Sequence, residues 1–253
     1  MTRAITIIPA RYASVRFPGK ALADVAGKPL IQYVWERACQ LTTVERVLVA
    51  TDDERIARVV TGFGGTAVMT AADLASGTDR VAEAARRLPV DLVVNLQGDE
   101  PFFDVKAVDE LVRLMAEEPT IEMGTLAHPI GDDAEHRDLN ATKVVLDQVG
   151  CALYFSRAPI PFPRRPGFAA PLRHIGIYVF RAPFLQHFAS LPPTPLEQSE
   201  TLEQLRALEH GVRIRVLVTP QASLGVDTPA DLARFAARLR RQGGAGATAV
   251  RDT

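Results

Sequence analysis

Three cations, Arg11, Arg16 and Lys20, share one short stretch, and no acid interrupts them before Asp24. They follow Ile5, Ile7 and Ile8, a β-branched apolar run that reads as a strand stopping at Pro9, which has no N–H to give a ladder. Gly19 lets the Pro18-Gly19-Lys20 turn bend sharply, and an apolar pattern of helical spacing begins at Leu30, after Gly27-Lys28-Pro29. A cationic loop between a buried strand and a helix has the outline of a phosphate site. A triphosphate needs backbone N–H groups to cradle it and point charges to offset its own. A solvated basic loop has the same charge pattern, so charge alone leaves both readings open. The stretch holds neither G-x-x-x-x-G-K-[ST] nor the glycine fingerprint of a dinucleotide site.

The next residue able to do chemistry is Asp99, in Gln97-Gly98-Asp99-Glu100-Pro101. It ends the apolar run 91–96, which reads as a central strand covered on both faces. In an open α/β sheet the carboxyl ends of the strands line the ligand crevice, which places Asp99 beside the cationic loop. An acid among phosphate-binding cations suits Mg²⁺, which takes one or two carboxylates and leaves its other positions to water and phosphate oxygens. The competing role for Asp99, capping the helix that starts near Val105, is better filled by Asp104. Ser76-Gly77-Thr78-Asp79-Arg80 opens another helix: Ser76 or Thr78 can cap it, and its free N–H groups and Arg80 can meet an anion.

The elements that must hold these residues alternate through the first half. Leu30, Ile31, Val34, Trp35 and Ala38 mark a helix. A strand at 47–50 leads to Thr51 or Asp52 as cap of a helix carrying Ile56, Val59 and Val60, and Gly64-Gly65 turns into a strand at 67–69. The helix from Val105 through Leu111 and Leu114 is followed by a strand at 122–130. The pattern then changes. Strands at 142–147 and 152–157 join at Gly150, a proline- and arginine-rich loop covers 158–171, and a third strand runs 173–180, so three strands without helices form an inserted antiparallel layer. A helix at 196–211, a strand at 213–219 and Thr228-Pro229, a cap followed by proline, complete the chain and leave Asp227 outside capping duty. The expected fold is therefore α/β, three-layered and Rossmann-like. Its divisions are a nucleotide-binding core at 1–130, an insert at 131–212, a return to the core at 213–241 and a disordered tail at 242–253.

The chain has 253 residues and a formal net charge of −1. That balance argues against a partner such as nucleic acid or a membrane surface, so any anion must meet a local patch. Cys39 and Cys151 give no disulfide framework or metal-ligand spacing and read as packed free thiols. With no apolar stretch of spanning length, the reading is a cytoplasmic protein.

The string I-I-P-A-R-Y-A-S-V-R-F-P-G-K-A-L-A-D-V-A-G-K-P-L resembles the amino terminus of the 3-deoxy-manno-octulosonate (Kdo) cytidylyltransferases, and S-G-T-D-R, Q-G-D-E-P, Y-F-S-R-A-P-I-P, H-I-G-I-Y, L-E-Q-L-R and G-V-D-T-P continue the likeness in order. The resemblance implies a nucleotide-diphospho-sugar-transferase-like fold, a homodimer formed through the insert, and Mg²⁺-dependent transfer of CMP from CTP to Kdo for lipopolysaccharide. It makes Arg11 and Lys20 triphosphate ligands and Asp99 with Asp227 the metal pair. It puts Pro9, Ala10, Ser76, Gly77, Arg80 and Gln97 around the nucleotide, and Arg157, His174, Tyr178, Glu203 and Gln204 around the sugar. Arg157 suits a sugar carboxylate because a guanidinium can give two parallel hydrogen bonds, and His174 and Tyr178, four apart on a strand, face one way. A cytidylyltransferase for another acidic sugar, a sialic acid or an amino analogue of Kdo, and a catalytically silent nucleotide-binding module are the alternatives. The chain departs from the resembled pattern at Ala71 and Leu74, where a basic residue and a histidine are usual.

Overall fold

The structure, a computed structural model, describes residues 2–13, 17–165, 167–223 and 225–246, with side chains to 241. Arg16 and the last part of the expected tail lie outside the described residues. The first half alternates as expected. It runs β1 (Ala4–Ala10), a hairpin of β2 (Asp24–Val25) and β3 (Lys28–Pro29), α1 (Leu30–Ala38), β4 (Val47–Thr51), α2 (Glu54–Gly62), β5 (Thr66–Met69), α3 (Gly77–Ala85), β6 (Leu92–Asn95) and α4 (Val105–Glu117). Then follow β7 (Met123–Pro129), α5 (Asp133–Arg137), β8 (Lys143–Leu146), β9 (Ala152–Ser156), β10 (Leu172–Arg181), α6 (Ala182–Ser190), α7 (Pro195–Glu200), α8 (Gln204–Glu209), β11 (Ile214–Val218) and α9 (Pro229–Gly246).

Among the described residues nine strands make one sheet, seven of them in the order β11-β7-β10-β6-β1-β4-β5 and the other two, β8 and β9, attached through β10. The pairs among β6, β1, β4 and β5 are parallel, and β1 is buried along its whole length, as a central strand covered on both faces must be. Alternation along β1 divides the core: Ala4, Ile8 and Ala10 pack with Val34, Ile56 and Leu111 of α1, α2 and α4, while Ile5 and Ile7 pack with Val81, Leu185 and Leu205 of α3, α6 and α8. A third, smaller cluster joins Val25 and Leu30 to Val226 and Phe235, which folds α9 back onto the start of the chain.

The antiparallel strands are joined to this sheet through β10. Its later half lies between β6 and β7, and Leu172 and Arg173 at its start pair with β8, to which β9 is added. The fully buried Lys143 fixes that extension, its ammonium donating to the carbonyls of Asp138, Ala141 and Arg157. Three carbonyls for three N–H groups leave no donor unmet, and burial pulls its pKa down.

Several expectations are corrected. Strand β1 does not stop at Pro9 but continues to Ala10: Pro9 faces the β6 side, where pairing has already ended at Ile7 and Asn95, so its missing N–H removes no ladder bond. Asp53, not Thr51 or Asp52, caps α2, accepting from Arg55 N at 2.8 Å. The helix expected over 196–211 is two short helices, broken where Thr201 takes a left-handed conformation with φ 54. Helix α6, not anticipated, follows β10 directly. Cys39 is exposed rather than packed. Helix α9 carries through Gly246 and so takes in the first residues of the expected tail, continuing from Leu239, Arg240 and Arg241 even though the glycines at 243, 244 and 246 are poor helix formers.

Candidate active site

The ends of β1 and β6 and the start of α3 enclose a cleft of about 230 Å³ lined by Pro9, Ala10, Arg11, Lys20, Gly77, Gln97 and Asp99, with Ser76, Arg80, Leu74, Gly98 and Asp227 completing its wall. All eight residues expected around the nucleotide line it. Gly19 N donates to Tyr12 O at 2.8 Å, and Gly19 stands at φ 71, where a β-carbon would meet the Tyr12 ring at 3.2 Å; the face of that ring also takes the Arg55 guanidinium at 3.4 Å. That turn delivers Lys20, whose Nζ donates to Asp99 Oδ2 at 2.6 Å and to Asp227 Oδ1 at 3.1 Å. Asp227 is brought there by two local devices. Val226, fully buried, donates its N–H to the Asp99 carbonyl at 2.8 Å, and Asp231 forms a reciprocal cap with Thr228, keeping that threonine rather than Asp227 at the helix start.

Asp99 and Asp227 thus both meet the Lys20 ammonium in a cleft walled by Arg11. Among the described residues no group of three or more metal-ligating side chains occurs. The donor set that does occur, two hard oxygens directed at one cation beside a polyphosphate-sized cleft, fits Mg²⁺ rather than a metal that needs a full protein cage. Next to it Glu100 is pushed up to about 7 by loss of solvation, then by the charge of Asp99, although Ser223 Oγ donates to it.

Ser76 caps α3 in a reciprocal box with Asp79, which settles the choice between Ser76 and Thr78. Arg80 is nearly fully buried and is an anchor: it pairs with Asp52 at 3.1 Å and donates to Thr70 Oγ1 and to the Ala71 carbonyl, holding the loop at 70–76 in place. Among the residues expected at the sugar, Tyr178 donates to Gln204 Oε1 at 3.2 Å, and Glu203 Oε2 accepts from Thr78 at 2.5 Å. Glu203 Oε1 and Gln204 Nε2 are buried with no hydrogen-bond partner. Arg157 is placed under the α7–α8 break, where its guanidinium donates to the carbonyls of Glu200, Leu139 and Thr201 and so holds the left-handed turn. Of these five, none lines the cleft wall given above.

His174 sits between Phe155 and Tyr178, its Nε2 2.9 Å from Thr125 Oγ1. Burial lowers its pKa to about 3. The folded protein therefore holds His174 neutral where the unfolded chain would protonate it, so stability is whole above pH 6.5 and falls by up to about 1.4 kcal/mol per pH unit below it, until the folded value is reached. Urea unfolding between pH 7 and 5 should show a steeper loss for the native chain than for His174→Gln; parallel slopes would mean the ring is solvated.

The fold and the cleft together define a nucleotidyltransferase. A sequence profile described as cytidylyltransferase matches residues 5–214. The chain is 55% identical over 243 residues to the 3-deoxy-manno-octulosonate cytidylyltransferase of Syntrophotalea carbinolica, covering 92% of this chain and 97% of that one. It is 50% identical over 245 residues to the enzyme of the same name from Geobacter sulfurreducens, covering 92% and 98%. A solved structure of CMP:2-keto-3-deoxy-manno-octonic acid synthetase complexed with CTP superposes with a TM-score of 0.91 at 45% identity, over 95% of this chain and 100% of the other. The chain belongs to the cytidylyltransferase family, in the group of the 3-deoxy-manno-octulosonate cytidylyltransferases. A glucose-1-phosphate thymidylyltransferase from Bacillus anthracis, at 17% identity and TM-score 0.67, shares the fold alone.

Proposed function

We propose that this chain transfers CMP from CTP to the anomeric hydroxyl of Kdo, releasing pyrophosphate and making an activated sugar for lipopolysaccharide. The observation that carries the reading is the convergence of Asp99, Asp227 and Lys20 in a cleft walled by Arg11, in a chain this similar to Kdo cytidylyltransferases. The sugar hydroxyl, giving up its proton to solvent, attacks the α-phosphorus in line, the bond from that phosphorus to the bridging oxygen breaks, and its electron pair leaves with pyrophosphate. Arg11 and Lys20 offset the charge that grows on the leaving group, Lys20 exchanging carboxylate partners for phosphate oxygens. Asp99 and Asp227 would hold Mg²⁺, which supplies Lewis-acid charge to the reacting oxygens when bound. No side chain serves as a covalent nucleophile.

Pyrophosphate release should require CTP and Kdo together, and UTP should be at least about tenfold less efficient, because acceptors that read the cytosine amino group are left unpaired by a carbonyl. The loop at 70–76, clamped by Arg80 and presenting Leu74 to the cleft, is where that discrimination is expected. Equal efficiency with both nucleotides would overturn the cytidine assignment, and turnover with a sialic acid but not Kdo would move the sugar assignment.

We read the protein as cytoplasmic and dimeric. No helix among the described residues is long and apolar enough to cross a membrane. Phe155 of β9 is buried in one cluster with Leu202 and Leu205, yet Leu153, the extra residue where β9 bulges against β8, is 62% exposed, and Phe162 and Phe168 on the following loop are 83% and 85% exposed. A second copy is the cover expected for that surface. Sedimentation showing only monomer at micromolar concentration, with turnover intact, would refute it.

A further inference from the structure

Four side chains form a continuous hydrogen-bonded chain behind the cleft. Gln97 Nε2 donates to Asn95 Oδ1 at 3.0 Å, Asn95 Nδ2 donates to Thr78 Oγ1 at 3.1 Å, and Thr78 Oγ1 donates to Glu203 Oε2 at 2.5 Å. Asn95 is fully buried on β6 and Thr78 nearly so on α3. Neither lines the cleft, whereas Gln97, Gly77 and Ser76 do.

The direction of every bond follows from the charge at one end. A carboxylate only accepts, so the single proton of Thr78 is committed to Glu203 and its lone pairs must take an N–H. Asn95 therefore turns its amide nitrogen to Thr78 and its carbonyl to Gln97, and Gln97 in turn directs Nε2 inward. With Nε2 bound inward, Gln97 turns its carbonyl toward the cleft, Oε1 standing 3.7 Å from where a β-carbon on Gly77 would lie. At the other end Glu203 Oε1 is buried with no hydrogen-bond partner, the nearest cation being Arg206 Nη2 at 3.9 Å. Both ends are acceptors, and hydroxyl groups of a polyhydroxy acid are the donors that match them.

We propose that Thr78 and Asn95 are positioning residues that polarise this chain, so that Gln97 and Glu203 meet the acceptor sugar as hydrogen-bond acceptors. The proposal rests on the reading of the site as a sugar cytidylyltransferase. Without the Thr78 hydroxyl, Asn95 loses its acceptor, the Gln97 amide is released to turn its nitrogen outward, and Glu203 loses its fixed oxygen.

The test is steady-state pyrophosphate release by the full chain, with CTP and sugar varied separately, for Thr78→Val, which keeps the shape, and Thr78→Ser, which keeps the hydroxyl. The valine variant should raise the KM for the sugar about tenfold or more and leave that for CTP within about twofold, and the serine variant should restore both. An unchanged sugar KM, equal rises for both substrates, or a serine variant as impaired as the valine would overturn the proposal. Should the valine variant fail to fold, Asn95→Asp serves, since its carboxylate draws the Thr78 proton away from Glu203; a folded variant with unchanged sugar KM is equally fatal. A second readout needs no turnover: the side-chain amide protons of Asn95 and Gln97 should exchange slowly in the native chain and fast in Thr78→Val. Fast exchange in the native chain would sink the relay, whereas slow exchange with no turnover on Kdo would count against the functional reading alone.

Discussion

Asp99→Asn and Asp227→Asn should each lower turnover about a hundredfold or more while leaving the fold intact. Each substitution keeps the side chain's size and removes one of the two negative oxygens that converge on Lys20. A purely structural role would give a different pattern. The Lys20 pairs are partly solvated, with the Asp227 side chain 42% exposed, and ion pairs of that kind are worth about 0–1 kcal/mol, so losing one should hardly move the unfolding midpoint. A metal role instead concentrates the damage in turnover and makes it depend on Mg²⁺, since a site with one carboxylate loses affinity as well as charge. Pyrophosphate release over a Mg²⁺ titration, beside thermal unfolding of the same samples, separates the two. Near-normal turnover at limiting Mg²⁺ in either variant, or a large fall in the midpoint, would sink the paired-carboxylate site.

What could be read from the sequence was what local chemistry writes there. The cap at Asp104, the cap at Thr228 and the acid after β6 each depend on residues a few positions apart and stand where expected, while the strand before Arg11 runs one residue further and Ser76 is the one of two candidate caps that serves. Lys20 between Asp99 and Asp227 could not be read that way. Its second partner is 207 positions along the chain and arrives only because Val226 is buried against α9 and bonds to the Asp99 carbonyl. The relay through Asn95 and Thr78 was missed for a related reason, since an asparagine in an apolar strand and a threonine in a helix start carry no mark of facing each other. The break at Thr201 was hidden because leucines at 202, 205 and 208 keep helical spacing across it. Only the carbonyls that Arg157 takes from Glu200 and Thr201 show what holds the turn.

Gly98→Ala should be a damaging single-methyl change, lowering stability by about 1–3 kcal/mol and turnover by about tenfold to a hundredfold. The reason is a close approach of backbone to backbone. A β-carbon on Gly98 would stand 2.9 Å from the Pro9 carbonyl oxygen and 3.4 Å from Ile31 Cδ1. The isoleucine can turn aside, but the Pro9 carbonyl belongs to β1, which is locked between β4 and β6, so the loop carrying Gly98 has to move instead. Asp99 is the next residue and would move with it, away from the position where its oxygen meets Lys20 and its carbonyl receives Val226. One displacement thus separates Asp99 from Asp227 and loosens the segment that delivers Asp227. Gly131→Ala is the control, because a β-carbon there meets nothing within 4 Å, and it should stay within about 0.5 kcal/mol of the native chain. Both variants would be followed by urea unfolding and by pyrophosphate release. Native-like turnover in Gly98→Ala would mean that the loop after β6 absorbs the methyl without moving Asp99, and that the site is held by something other than the contact between Gly98 and β1.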